Sequence, residues 1–202
     1  MISMTHYIQR FNVAFPSPNL MAPWKVTQDA EKMLMQKISG LGPDYKIFNN
    51  VAIHESVIID SHAILKGPAI ISAHCFVGAH SYLRGGVFLD EYVSLGPGCE
   101  VKTSFIFSHT ALAHFNFVGD SIVGSRVNLE AGAIIANHFN EREDKTIFVL
   151  LDGKRFAADG QKFGALVGDG TKIGANAVLS PGTVLQPDTV VKRLELIEQC
   201  PL

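Results

Sequence analysis

The chain lacks the features that mark several large classes of protein. It contains 3 cysteines and no CxxC pair, an odd count that favours reduced core thiols over a disulfide framework or a zinc site. Its formal net charge is −2 and there is no basic block, so nucleic-acid binding has no electrostatic support. It has no apolar run of about 18 residues and no basic N-terminal segment followed by an apolar one. We therefore expect a cytoplasmic protein without a membrane span, a signal peptide or a metal.

What the chain does have is a regular spacing of apolar residues over a length that suits one domain. The 202 residues are 47% hydrophobic and 18% charged, which is typical of a compact fold. In three stretches every sixth residue is aliphatic or Phe. The members are Ile53, Ile59, Leu65, Ile71, Val77, Leu83, Leu89, Leu95, Val101 and Phe107, then Phe117, Val123, Leu129 and Ile135, then Val167, Ile173, Leu179, Leu185 and Val191.

A period of six fits neither an α-helix, with about 3.6 residues per turn, nor a continuous strand, whose side chains alternate. It fits a short strand followed by a tight corner, with each apolar residue pointing inward. An ordinary β-sandwich would show this uniform spacing only by coincidence. The pattern resembles the hexapeptide repeat of the left-handed parallel β-helix, an all-β fold in which three hexads make one coil of a triangular prism. The resemblance, and not the spacing, implies the left hand.

The repeats divide the chain at residue 51. Residues 1–50 should form an irregular arm and a capping helix that covers the open first coil, with Thr27 as its N-cap and Gly40 and Gly42 at its end. Residues 51–202 should form the β-helix domain.

Two interruptions break the period within the β-helix. At 108–116 ten residues separate two members where six were due, so the chain should bulge from a corner. A loop insertion at 138–164 should contain a hairpin from Thr146 to Ala157 with an Asp-Gly turn. After Val191 the short tail is ambiguous, and a helix is one option.

The most specific segment lies between residues 114 and 137. It reads His-Phe-Asn-Phe-Val-Gly-Asp at 114–120, then has Asn128, then Gly-Ala-Ile-Ile-Ala-Asn at 132–137. This resembles the H-[LF]-x-[YF]-[LV]-G-D…N…G-[TA]-x-x-A-N stretch of glucosamine-1-phosphate acetyltransferases, and 162–169 resembles their archaeal-type versions. Those domains usually follow a sugar-1-phosphate nucleotidylyltransferase domain in a bifunctional enzyme, and nothing here resembles that domain.

The resemblance covers about residues 70–187 and implies a reaction with named residues. An acetyl group would pass from acetyl-CoA, the co-substrate, to the amine of an amino-sugar phosphate or nucleotide sugar. His114 would be the general base, a task suited to an imidazole. The residues implied at the sugar are Phe117, where the family has Tyr, and Asn128 and Asn137. The residues implied along the cofactor are Ala131, Gly174 and Ala175.

Four cations are further candidates for the substrate. Arg84 and Lys102 resemble phosphate-binding residues of the family and are separated by 18 residues, or three hexads. They should therefore stack on adjacent coils and, without an acidic neighbour on that wall, clamp a phosphate. Two solvated surface charges are the alternative. Arg142 and Lys145 fall near positions where archaeal-type relatives carry lysines close to the sugar, although a charge run is more often a solvated face.

Several other functions stay open. The chain could be a non-catalytic trimeric sugar-nucleotide-binding relative, or it could use another amino sugar or an acyl-carrier-protein donor. A more remote reading is a zinc enzyme like the carbonic anhydrases built on the same β-helix, with His74, His109 and His114 as ligands. The resemblance also implies a homotrimer with the active site between subunits.

Overall fold

Three walls of short parallel strands form the body of the protein in the computed structural model, which describes residues 2–16 and 22–201. Residues 17–21 of the predicted arm, with both terminal residues, lie outside the described part. Wall A contains β3 Ile58–Ile59, β6 Phe76–Val77, β8 Ser94–Leu95, β10 Ala111–Leu112, β13 Asn128–Leu129, β18 Lys172–Ile173 and β21 Val190–Val191.

The other two walls share two long strands that bend around a corner. Wall B contains β4 Ile64–Leu65, the first parts of β7 Tyr82–Leu89 and β9 Glu100–Ile106, then β11 Phe117–Gly119, β14 Ile134–Ile135, β19 Val178–Leu179 and β22 Leu196–Ile197. Wall C contains β2 Val51–His54, β5 Ala69–Ile71, the second parts of β7 and β9, then β12 Ile122–Val123, β17 Ala165–Val167 and β20 Thr183–Leu185. The predicted parallel β-helix is confirmed. We call the corners edge AB, edge BC and edge CA.

Inward aliphatic residues stack from coil to coil and make the first hydrophobic core. On wall A the register pairs Val77 with Leu95, Leu95 with Leu112, and so on down the wall. Small residues at the corners, such as Cys75 and Cys99, fill the same interior. At several corners only a glycine allows the coils to approach, since a Cβ on Gly78 would lie 2.8 Å from backbone atoms of the next coil.

The predicted bulge at 108–116 is wrong, because this segment forms a regular coil. The inward residues there are Ile106 and Val118, whereas Phe107 is buried on the outer face of wall C. Two hexads are shortened to five residues at edge BC, and Thr103 and Asp120 turn there with positive φ of 48° and 47°. The strand β10 therefore continues wall A without interruption.

The outer face of wall C is covered by the chain's own N-terminal segment, which builds a second core. Four helices pack there: α1 Met4–Tyr7, α2 Phe11–Ala14, α3 Pro23–Gln28 and α4 Ala30–Ile38. Phe15 meets Phe88 and Phe105 edge-on, with ring centroids 4.9 and 5.1 Å apart.

The expected helical cap differs in its start and in its place. The expected helix is split into two: α3 starts at Pro23 and contains Thr27, whose hydroxyl donates to the Trp24 carbonyl, and α4 starts at Ala30 after Asp29. The helices lie on the outer face of wall C, where Ala52 of the first coil joins the second core, and not across the open end of that coil. The first coil is instead extended by β1 Tyr45–Phe48, which pairs antiparallel with β2.

The insertion contains the predicted hairpin, formed by β15 Phe148–Leu151 and β16 Lys154–Ala157 with Asp152 and Gly153 at positive φ. It packs its apolar residues into the second core. The tail after Val191 is a further strand, β22, and no helix occurs there up to residue 201. Within residues 2–16 and 22–201, no helix is long and apolar enough to cross a membrane.

Candidate active site

His114 lies at edge AB, where β10 turns into β11. Its neighbour Phe115 adopts a left-handed conformation, with φ of 52°, and its side chain is 72% exposed. Asn116 is buried and fixes the corner, because its amide donates to the carbonyls of Glu130 and Ala133 at 2.8 and 3.1 Å. The corner therefore presents an exposed imidazole on a rigid backbone. Among the described residues the His114 ring has no hydrogen-bond partner, so its nitrogens are open to a ligand.

The residues predicted along the cofactor follow His114 down edge AB. The Gly132 amide donates to the His114 carbonyl, the Asn176 amide to Ala131, and the Leu194 amide to Ala175, at 2.9, 3.0 and 3.0 Å. These bonds align His114, Ala131, Ala175 and Arg193 on successive coils, which lie about 4.8 Å apart. The predicted base and the predicted cofactor residues thus share one edge.

A groove of about 530 Å³ lies beside this column on wall A. It is lined by Asn128, Glu130, Lys172, Ile173, Gly174, Val190, Val191, Lys192 and Arg193. Asn128 is exposed on wall A in register with Lys172, so it belongs with the groove and not with Asn137. The groove therefore combines bare backbone at Gly174 with several cations.

Glu130 and Arg193 are groove residues that the sequence analysis missed. The Glu130 carboxylate accepts the Ala175 amide at 2.9 Å and the Arg193 guanidinium at 2.8 and 3.0 Å. Arg193 and the amide together lower the pKa of Glu130 to about 2. Arg193 follows Val191, the last repeat member recognised in the sequence. Only recognition of one more strand, β22, would have placed Arg193 inside the solenoid.

Arg84 and Lys102 stack in register on wall B, as their spacing predicts. The expectation that no acidic group lies beside them is wrong. Arg84 donates to Glu100 Oε1 at 2.9 and 2.6 Å, and Lys102 Nζ lies 2.6 Å from Asp120 Oδ2. Glu100 shares a face with Lys102 because the two are separated by one residue of a strand. In the free protein, each of the two cations is therefore already paired with a carboxylate.

Asp120 joins Lys102 to the predicted sugar residues. Its Oδ2 also accepts the Asn137 amide. A Cβ on Gly119 would lie 2.7 Å from the Asn137 Nδ2 and 2.8 Å from the Phe117 ring, so glycine allows these side chains to converge. Asp120 was missed as a site residue although it ends the His-to-Asp motif. We call the set Arg84, Glu100, Lys102, Phe117, Asp120 and Asn137 the wall B cluster.

The two cations of the insertion have different surroundings. Lys145 Nζ lies 3.5 Å from the ring of His138, which follows Asn137, so Lys145 borders the wall B cluster. Arg142 lies 3.5 Å above the Phe139 ring and pairs with Glu198. Its side chain is only 10% exposed, so it ties the insertion to the last coil.

The three histidines of the zinc alternative do not meet within one chain. Tyr92 is stacked between His74 and His109 on edge CA, at 4.7 and 4.8 Å from their ring centroids. His114 lies on edge AB. The described parts of the chain hold no group of three or more potential metal-binding side chains.

Known proteins resemble this chain in sequence, although no protein-family model matches it. It is 36% identical over 184 residues to the bifunctional sugar-1-phosphate nucleotidylyltransferase/acetyltransferase of Sulfurisphaera tokodaii, covering 85% of this chain and 45% of that protein. It is 39% identical over 166 residues to the bifunctional protein GlmU of Methanocaldococcus jannaschii, covering 79% of this chain and 40% of that protein. The chain thus spans less than half the length of these relatives.

Among solved structures, a hexapeptide transferase family protein from Anaplasma phagocytophilum overlaps 72% of each chain at 16% identity, with a TM-score of 0.43. The parallel coils of the structure define the fold independently of that likeness. The sequence relatives confirm the resemblance that the motif predicted. The chain is therefore related in sequence to the bifunctional sugar-1-phosphate nucleotidylyltransferase/acetyltransferases and folds as a hexapeptide-repeat β-helix.

Proposed function

We propose that the protein transfers an acetyl group from acetyl-CoA to the amine of an amino-sugar phosphate or nucleotide sugar. The observation that carries this proposal is the arrangement at edge AB. An exposed imidazole stands at the head of a column of small residues, beside a groove with bare backbone and cations. The names of the sequence relatives, which include an acetyltransferase activity, support the same reaction.

In this reaction the sugar amine attacks the carbonyl carbon of the thioester. The N–C bond forms, the C–S bond breaks, and the sulfur leaves as the thiol of CoA. His114 takes the proton that the amine nitrogen must lose and can pass it to the leaving sulfur. The pantetheine arm would lie along Ala131, Gly174 and Ala175, which keeps the thioester at the His114 end of the groove.

The wall B cluster would hold the sugar and its phosphate. Arg84 and Lys102 each keep donors beyond those used by Glu100 and Asp120, since a guanidinium has five N–H groups and an ammonium three. Asn137 and Lys145 border the same site, and the Phe117 ring offers an apolar face to the sugar. Arg142 would act indirectly, by holding the insertion in place.

Within one chain, His114 with the cofactor column and the wall B cluster lie at different edges of wall B. Gly119, which is in register with Lys102, follows His114 by five residues, a separation on the order of 10–15 Å of backbone. In a 2-amino-sugar 1-phosphate the amine and the phosphate sit on adjacent carbons, C2 and C1. One small substrate therefore fits the site best when His114 comes from one subunit and the wall B cluster from the next. We propose a homotrimer with three such sites.

The test is an acceptor screen. The purified protein is mixed with acetyl-CoA and with amino-sugar 1-phosphates, their uridine diphosphate forms or unphosphorylated amino sugars, and the release of CoA and the mass of the product are measured. Release of CoA with a 42 Da gain on a phosphorylated amino sugar, about one acetyl group in place of a hydrogen, supports the proposal. Binding of a nucleotide sugar without any turnover would favour the non-catalytic alternative.

A further inference from the structure

The Glu130 carboxylate occupies the backbone site that the proposed cofactor needs. It accepts three hydrogen bonds, one from the Ala175 amide and two from Arg193. Its side chain is nevertheless 37% exposed and that of Arg193 is 73% exposed, so the pair stands at the surface of the groove. Such exposed pairs add little stability, which leaves another role for this arrangement.

The pair crosses one coil of the solenoid. Glu130 precedes Ala131 on its coil, Gly174 and Ala175 lie on the next, and Arg193 lies on the one after. The ion pair must therefore pass over the Gly174–Ala175 backbone. Gly174 lets the next coil approach closely here, since a Cβ on it would lie 2.5 Å from the Arg193 backbone nitrogen. In the free protein, the stretch proposed for the pantetheine arm is covered.

Both members of the pair have a natural replacement in the cofactor. The pantetheine arm carries amide carbonyls, which accept hydrogen bonds from a backbone amide as a carboxylate does. The nucleotide end carries phosphates, which bind a guanidinium through two parallel hydrogen bonds as a carboxylate does. Lys172 and Lys192 line the same groove and add positive charge for those phosphates.

We propose that Glu130 and Arg193 form an exchangeable latch over the cofactor groove, an inference that rests on the proposed function. When the cofactor enters, a pantetheine carbonyl replaces Glu130 on the Ala175 amide, and Arg193 exchanges the carboxylate for a phosphate. Glu130 is thus a competitor that keeps the groove closed, and Arg193 changes from a partner of Glu130 to a partner of the cofactor.

Binding of CoA and of uncharged pantetheine to the variant Glu130→Ala tests this latch by calorimetry. Pantetheine should bind about fivefold tighter than to wild type, the factor expected for one competing hydrogen bond. The matched control is Glu195→Ala. The Glu195 carboxylate accepts a hydrogen bond from the Lys192 amide on the last coil and makes none with the Ala175 amide. Its removal should leave pantetheine binding unchanged, although the lost negative charge can strengthen CoA binding. Arg193→Gln should weaken the binding of CoA and leave the binding of pantetheine unchanged.

The outcomes separate the latch from the proposed function. If wild type binds CoA but Glu130→Ala gains no affinity for pantetheine, or Glu195→Ala gains as much, the latch is wrong and the acetyltransferase proposal stands. If Glu130→Ala folds poorly by circular dichroism, Glu130→Met keeps the length of the side chain without its hydrogen-bond acceptors, and its pantetheine affinity decides in the same way. If no folded form binds CoA, both proposals fail.

Discussion

Two cysteines show how burial sets the chemistry of single residues in this protein. Cys75 is 1% exposed and Cys99 is fully buried, and desolvation raises the pKa of both thiols, that of Cys75 to about 12. Since thiol reagents attack the thiolate, we expect only Cys200 to react in the folded protein at pH 8. Titration with a colorimetric disulfide reagent should count one thiol before unfolding and three after. Rapid reaction of all three in the native state would contradict the model of the core.

The sequence predicted which residues stack but not which residues pair. The 18-residue spacing of Arg84 and Lys102 predicted their adjacency, because three hexads make one coil. Their partners Glu100 and Asp120 were visible in the same motifs. The pairing of Asp120, however, depends on a left-handed turn at the end of a shortened hexad, and nothing in the spacing reveals that turn.

At the scale of elements, the period of six predicted the walls wherever one face of the strand is polar. It failed where both faces are apolar. Phe107 continued the count, although Ile106 points inward, because the outer face of wall C is buried as well. Phe117 was counted on wall B because the shortened hexad places the inward Val118 only five residues before Val123. The arm was expected to be irregular for a related reason: α1 and α2 have four residues each, too few to show a helical pattern.

The second core predicts that the N-terminal helices stabilise the solenoid. Phe11 is fully buried and lies 5.9 Å from the Phe107 ring. Phe11→Ala should lower the free energy of unfolding by about 3–5 kcal/mol, since it leaves a cavity between α2 and wall C. Phe48→Ala is the control: Phe48 is 77% exposed on β1, so its loss should change stability by about 0.5 kcal/mol or less. Denaturant unfolding measures both, and equal effects would mean that the arm does not belong to the core.

At the scale of the whole molecule, the separation of the two half-sites predicts that single subunits are incomplete. Light scattering at micromolar concentration should give three times the 21.9 kDa mass of the chain. A sharper test of the shared site uses two variants, His114→Ala and Lys102→Ala. Each should be inactive as a trimer of identical chains. Refolded together, they should regain part of the activity, because some interfaces then combine an intact His114 with an intact Lys102. A monomer, or no recovery on mixing, would contradict a shared site.

The central claim is that His114 is the general base of acetyl transfer, and one comparison tests it most directly. His114 lies outside both hydrophobic cores, so His114→Ala should keep the fold while CoA release falls about 10²–10⁴-fold, the usual contribution of a general base. His109→Ala removes another exposed imidazole, from edge CA, and should leave CoA release unchanged; an equal fall in both variants would contradict a specific role for His114. The measurement is the rate of CoA release from acetyl-CoA with the amino-sugar phosphate found in the screen, for wild type and both variants. We predict loss in His114→Ala alone, and undiminished release in that variant would contradict the account.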